Sequence, residues 1–85
     1  MNKKLYSTED RELALVILGH FQEHPEAKDT LDGIEEFWIP HDSNAVMRAT
    51  VERALRFLVS RGLVLEIRRK GLPPYYRKTQ ETERH

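Results

Sequence analysis

Residues 42–79 have the sequence DSNAVMRATVERALRFLVSRGLVLEIRRKGLPPYYRKT, in which the spacing of apolar side chains changes from a helical to a strand period near Gly62. Before Gly62, the apolar positions lie three or four residues apart on one face of a helix; they are Met47, Val51, Ala54, Leu55 and Leu58. Asp42, Ser43 and Asn44 can cap the start of this helix, and glycine commonly ends one in the left-handed conformation. The pattern predicts a third helix that ends at Gly62.

After Gly62, apolar residues alternate with others from Leu63 to Arg68, which is typical of a half-buried strand. Residues 70–74 contain glycine and two prolines, and Tyr75–Thr79 follow as a second strand. The sequence therefore predicts an antiparallel hairpin with a five-residue loop.

Two helices are predicted in the amino-terminal half. Ser7 can cap a helix over residues 7–23 that ends before Pro25, and its apolar positions Leu13, Val16, Ile17 and Phe21 are predicted to face the core. Asp29 or Thr30 can cap a second, shorter helix that ends at Pro40; its apolar positions are Leu31, Ile34, Phe37 and Trp38. The predicted fold is mainly α with a small β-hairpin (α+β): one domain over residues 1–79 and a flexible tail over 80–85.

The composition excludes several classes of protein. The chain has 85 residues and no cysteine, and its longest apolar run is the six residues Leu13–Leu18, far short of a membrane span. No secretory signal follows Met1, so we expect a cytoplasmic protein. His20 and His24 lie four residues apart but lack a third evident ligand, so no metal site is predicted. No catalytic motif is present, and we predict a protein that is not an enzyme and uses no cofactor.

The formal net charge of zero is the sum of two opposite halves. Residues 1–42 carry four basic and ten acidic side chains, a net of −6, and residues 43–85 carry ten basic and four acidic ones, a net of +6. Such asymmetry indicates a polyanionic partner for the basic half, or two halves that attract each other.

Residues 49–64, ATVERALRFLVSRGLV, and residues 68–79, RRKGLPPYYRKT, resemble helix 3 and the wing of MarR-like and PadR-like regulators. The resemblance covers residues 43–79. It implies a winged helix-turn-helix, with three helices followed by a two-stranded wing, that binds double-stranded DNA as a small transcriptional regulator. Helix 3 would lie in the major groove, with the wing on the flanking backbone or minor groove.

Asn, Arg and Glu are side chains that hydrogen-bond base edges. We therefore predict base contacts from Asn44, Arg48, Glu52 and Arg53, and phosphate contacts from Arg56 and from the wing residues Arg68, Arg69, Lys70, Arg77 and Lys78.

Three alternatives remain open. The helix 3 residues can form a solvated face with Arg48, Glu52 and Arg56 paired along the helix. The domain can bind a second protein through its acidic half, around Asp29, Asp32, Glu35, Glu36 and Trp38. Tyr75 and Tyr76 can stack on single-stranded nucleic acid. A homodimer is also compatible with the sequence.

Overall fold

The structure is a computed structural model that describes residues 6–39, 48–80 and 82. Its elements are α1 (Thr8–Glu23), β1 (Lys28–Thr30), α2 (Leu31–Gly33, continued by a π-helical segment, Ile34–Trp38), α3 (Arg48–Ser60), β2 (Val64–Arg69) and β3 (Leu72–Lys78). The described residues thus form a small α+β domain with three helices, as predicted, but with three strands instead of two.

Helix α1 begins at a capping box. The Ser7 hydroxyl accepts a hydrogen bond from the Asp10 backbone N–H at 3.1 Å, and the Asp10 carboxylate accepts one from the Ser7 N–H at 3.0 Å. The predicted span is confirmed. Its core face differs in one position, because Val16 is 46% exposed and Ala14 is buried. Side chains of successive residues in a helix point in directions about 100° apart around the axis. The buried stripe is centred between Ala14 and Ile17, so Val16 lies at the edge of the stripe and is partly exposed.

Helix α2 begins at Thr30, whose hydroxyl accepts a hydrogen bond from the Gly33 N–H at 3.2 Å. Ile34 is buried, whereas Phe37 is 74% exposed. Trp38 packs against the core, with its ring centroid 4.7 Å from that of Phe21. The predicted second helix and the core position of Trp38 are confirmed.

Helix α3 buries Val51, Ala54, Leu55 and Leu58, as its period predicts. It ends in a Schellman motif: the Gly62 N–H donates to the Val59 carbonyl and the Leu63 N–H to the Leu58 carbonyl, each at 3.0 Å, with Gly62 at φ +74°. The predicted capping residues 42–44, Met47 and most of the turn between helices 2 and 3 lie outside the described residues.

The sheet has the strand order β1-β3-β2, and both pairings are antiparallel. Strand β1 was not predicted, because its three residues are polar and only their pairing with Tyr75–Arg77 gives them strand geometry.

The hairpin is also tighter than predicted. Arg69 faces Leu72 across a two-residue turn, Lys70-Gly71, with Gly71 at φ +76°. Pro73 and Pro74 lie within β3, beyond the end of β1 and opposite an irregularity in β2, where a missing N–H is tolerated.

The buried side chains of the described residues form one cluster between α1, α2, α3 and the start of β2. Leu63, Val64 and Tyr76 connect the sheet to this core. Of the predicted tail, residues 81 and 83–85 lie outside the described residues.

Candidate nucleic-acid interface

A cleft of about 280 Å³ lies between the outer face of α3 and the sheet. It is lined by Tyr6, by Glu52, Arg56, Val59 and Ser60 from α3, and by Glu66, Arg68 and Tyr76 from the sheet. Three of the predicted site residues, Glu52, Arg56 and Arg68, are therefore brought to one place. Glu52 and Arg56 are exposed on one wall, and Arg68 is exposed on the other.

Arg48 is held by helix α2. Its guanidinium forms ion pairs with Asp32 and, at 3.0 Å, with Glu35. The hydrogen bond that Arg48 donates to Asp32, together with the charges of both carboxylates, raises the pKa of Arg48. The Arg48 side chain is half exposed and that of Asp32 is 74% exposed, so the pair lies in solvent. The ion pairs of Arg48 among the described residues are therefore between helices, and not with Glu52 along α3 as in the alternative of a solvated helix face.

Arg53 is turned toward the start of α1. Its Nε lies 3.1 and 3.0 Å from the two carboxylate oxygens of Asp10, and its Nη2 lies 3.4 Å from the Thr50 hydroxyl. The Asp10 side chain is only 2% exposed, whereas that of Arg53 is 43% exposed. Burial alone would raise the pKa of Asp10, but the hydrogen bonds from Ser7 and Arg53 lower it below its usual value.

Sequence reasoning missed this role of Asp10. The signal present in the sequence is the spacing of Ser7 and Asp10, which indicates a capping box. The second partner, Arg53, is 43 positions away, and no local pattern connects it to Asp10.

The tip of the hairpin, which we call the wing tip, consists of Arg68, Arg69 and Lys70, all exposed. Arg68 forms an ion pair with Glu66 at 3.2 Å but remains 84% exposed. The Arg69 Nη2 donates to the Pro73 carbonyl at 2.7 Å, and its guanidinium lies 4.9 Å from the centroid of the Tyr75 ring. These two contacts hold Arg69 against the hairpin without neutralising its charge.

The two tyrosines lie on opposite faces of β3, as strand geometry requires. Tyr76 packs against the core, and its hydroxyl donates to the Glu66 carboxylate at 2.9 Å. Burial, together with the nearby charge of Glu66, raises the pKa of Tyr76 to about 12. Tyr75 lies on the outer face, where Lys28 of β1 also approaches its ring, at 5.6 Å.

The remaining predicted site residues are at the base of the hairpin or outside the described chain. Arg77 and Lys78 are half buried in β3, and the Arg77 Nη1 donates to the Lys78 carbonyl at 3.2 Å. Asn44 lies outside the described residues.

His20 of α1 stacks on Trp38, with ring centroids 4.0 Å apart, and the ring of His24, which follows the helix, lies 4.9 Å from that of His20. Over residues 6–39, 48–80 and 82, no three His, Asp or Glu side chains are grouped so that they could hold a metal ion. Over the same residues, no helix has the length and apolarity that crossing a membrane requires.

No protein-family model, curated protein or solved structure matches this chain.

Proposed function

We propose that the chain is a winged helix-turn-helix protein that binds double-stranded DNA in a sequence-specific way, as a small transcriptional regulator. The order of elements supports this proposal, since three helices precede the hairpin and β1 only adds a strand to its far side. In this arrangement α3 would enter the major groove and the β2–β3 hairpin would be the wing.

The observation that carries the proposal is the placement of exposed cations on both sides of one cleft. Arg56 lines the cleft from α3, together with Glu52, and Arg68 lines it from β2, where it pairs with Glu66 but stays 84% exposed. Arg69 and Lys70 add two further exposed cations at the wing tip. Two elements that present cations toward the same space suit a phosphate backbone that runs between them.

The ion pairs divide the cations into two groups. Arg48 and Arg53 face acidic partners and Arg68 pairs with Glu66, so these three add less to the attraction of a polyanion. Arg56, Arg69 and Lys70 form no ion pair with any described residue. If these three side chains each contact a phosphate, the logarithm of the binding constant would fall with the logarithm of salt concentration with a slope of about −3.

Fluorescence anisotropy with a random-sequence duplex at several salt concentrations tests this proposal. We expect Arg69→Ala and Lys70→Ala each to weaken binding to every duplex and to reduce the salt slope by about 0.9. Arg11→Ala is the matched control, because it removes the same charge from α1, which does not line the cleft. Binding that is insensitive to salt, or weakened equally by the control, would contradict the proposal.

A second candidate function is binding of another protein through the acidic half. Phe37 favours it, because this large apolar side chain is 74% exposed next to the exposed Glu36. An amide-shift titration with the same duplex at low salt separates the two. Shifts at α3 and the wing support DNA binding, whereas an absence of shifts supports a protein partner.

A further inference from the structure

The contact between Asp10 and Arg53 differs from the other ion pairs of the described residues. The carboxylates that hold Arg48 are accessible, with exposed fractions of 74% and 34%, and such pairs exchange readily with solvent and contribute little to stability. Asp10 is buried, and its carboxylate already accepts the Ser7 N–H. Leaving a buried carboxylate without its cation strongly destabilises the folded protein. We therefore expect Arg53 to stay bonded to Asp10, whereas Arg48 can separate from its exposed partners.

The contact with Asp10 uses only the Nε of the Arg53 guanidinium and leaves its terminal nitrogens available for other hydrogen bonds. Asp10 binds only Nε, and Nη2 has a single long contact with Thr50. Within the described part of the chain, no group bonds Nη1. Because the guanidinium is planar and rigid, fixing Nε also fixes the direction of the terminal edge that carries Nη1 and Nη2.

Arg53 lies on the side of α3 opposite its buried residues, and 43% of its side chain is exposed although its Nε contacts the buried Asp10. The buried residues of α3 are Val51, Ala54, Leu55 and Leu58, and Ala49, one turn before Arg53, is exposed. On the proposed function, this is the face that lies in the major groove.

We infer that Asp10 is a positioning residue that holds Arg53 as the specificity-determining side chain of the DNA interface, with the Nη1/Nη2 edge bonded to O6 and N7 of one guanine. This inference rests on the proposed DNA-binding function. Guanine presents two acceptors side by side in the major groove, and an arginine fork matches them. Because Asp10 compensates the charge of Arg53, the pair adds selectivity for a base rather than attraction for phosphate.

Two groups of cations would then have different roles in DNA binding. Arg56 and the wing tip would provide affinity for any duplex, and Arg53 would provide discrimination among sequences. The two contributions are therefore separable by mutation.

The test is selection of binding sites from a pool of randomised duplexes by the wild type, Asp10→Asn and Arg53→Lys. We expect the wild type to enrich a site with guanine at one position, with a preference over other bases of roughly tenfold to a hundredfold. Asp10→Asn and Arg53→Lys should each lose most of the guanine preference at this position, and their base preferences at the other positions of the site should be unchanged. Asp10→Asn removes a negative charge, so its affinity for a random duplex should be unchanged or higher.

Ser7→Ala is the matched control. It removes the cap of α1, which typically costs about 1 kcal/mol, but leaves the Asp10 carboxylate and Arg53 in place. If Ser7→Ala loses the guanine preference as fully as Asp10→Asn, the role of Asp10 is merely structural and the inference is wrong. It is also wrong if Asp10→Asn and Arg53→Lys select the same site as strongly as the wild type.

Two measurements keep the inference testable if Asp10→Asn does not fold. Arg53→Lys retains the charge at a half-exposed position and should still lose the guanine preference. In the wild type, the Arg53 Nε–H should remain protected from hydrogen exchange in the complex with the selected duplex, because it stays bonded to Asp10. Loss of this protection when the duplex binds would contradict the inference. If the wild type binds no duplex, the proposed function itself fails; if it binds and selects but the variants select equally well, only the inference fails.

Discussion

Asp10 is a buried carboxylate whose pKa is lowered in the folded state, so its contribution to stability depends on pH in a defined direction. The contribution is fully present above the unfolded-state pKa, about 3.9, and is lost as pH falls through the lower folded-state pKa. We expect Asp10→Asn to reduce the free energy of unfolding by about 2 kcal/mol at neutral pH, through its weakened bonds to Ser7 and Arg53. The difference from the wild type should shrink below about pH 4. Urea unfolding followed by circular dichroism over a pH series measures this, and a difference that stays constant in acid would exclude the ion pair as its cause.

Gly62 and Gly19 are expected to respond oppositely to the same substitution. Gly62 has φ +74° at the end of α3, where a β-carbon is strained, so Gly62→Ala should destabilise the protein by about 1 kcal/mol. Gly19 lies inside α1, and a β-carbon there would meet no atom within 4 Å apart from its chain neighbours and the backbone of its own helix. Gly19→Ala should therefore stabilise the protein by roughly 0.5 to 1 kcal/mol. Urea unfolding of both variants measures the change in the free energy of unfolding, which should have opposite signs. Destabilisation by Gly19→Ala would show that other residues cover this face of α1.

Strands β2 and β3 are joined by a side-chain pair as well as by their ladder, since Glu66 lies opposite Tyr76 and accepts its hydroxyl hydrogen bond. Burial and Glu66 raise the pKa of Tyr76 to about 12. This group therefore stabilises the fold below its unfolded pKa of about 10, and the contribution is lost as pH rises toward 12.

We expect Glu66→Gln to lower the pKa of Tyr76, because it removes the charge that opposes ionisation of the phenol. Spectrophotometric titration of tyrosine absorbance measures the shift, and Tyr76→Phe identifies which transition belongs to this residue. A titration curve that Glu66→Gln leaves unchanged would show that burial alone sets this pKa.

The elements differ in how far local sequence predicts them. The span of α1 and the end of α3 follow from apolar period, capping residues and glycine, all of which act within a few residues. Strand β1 depends on a partner strand almost fifty residues away, and nothing in Lys28–Thr30 indicates pairing. The hairpin loop was predicted too long because Pro73 and Pro74 are typical of loops, and their place in β3 depends on where β1 ends.

Across the whole molecule, the acidic and basic halves are in contact rather than separate. Helix α2 holds Arg48 through Asp32 and Glu35, and α1 holds Arg53 through Asp10. Some cations are therefore neutralised within the domain, whereas Arg56, Arg69 and Lys70 form no ion pair with any described residue.

On the proposed function, the acids of α2 compete with DNA for Arg48. The double variant Asp32→Asn/Glu35→Gln should bind a random duplex more tightly and steepen the salt slope by about 0.9, because Arg48 gains one phosphate contact. Glu23→Gln/Glu26→Gln removes the same charge from a region without contact to Arg48 and is the control. Equal gains in affinity for both double variants would show that only net charge matters.

The caps of α1 and α2, the buried face of α3 and the left-handed glycine that ends α3 were predictable from the sequence, because each depends on residues within a turn or two of chain. The presence of arginines on the outer face of α3 was predictable for the same reason. Which of those arginines are free and which are held was decided only by the tertiary structure. The carboxylates that hold Arg48 and Arg53 lie 13 to 43 positions away, and only the packing of α1 and α2 beside α3 brings them within hydrogen-bonding distance.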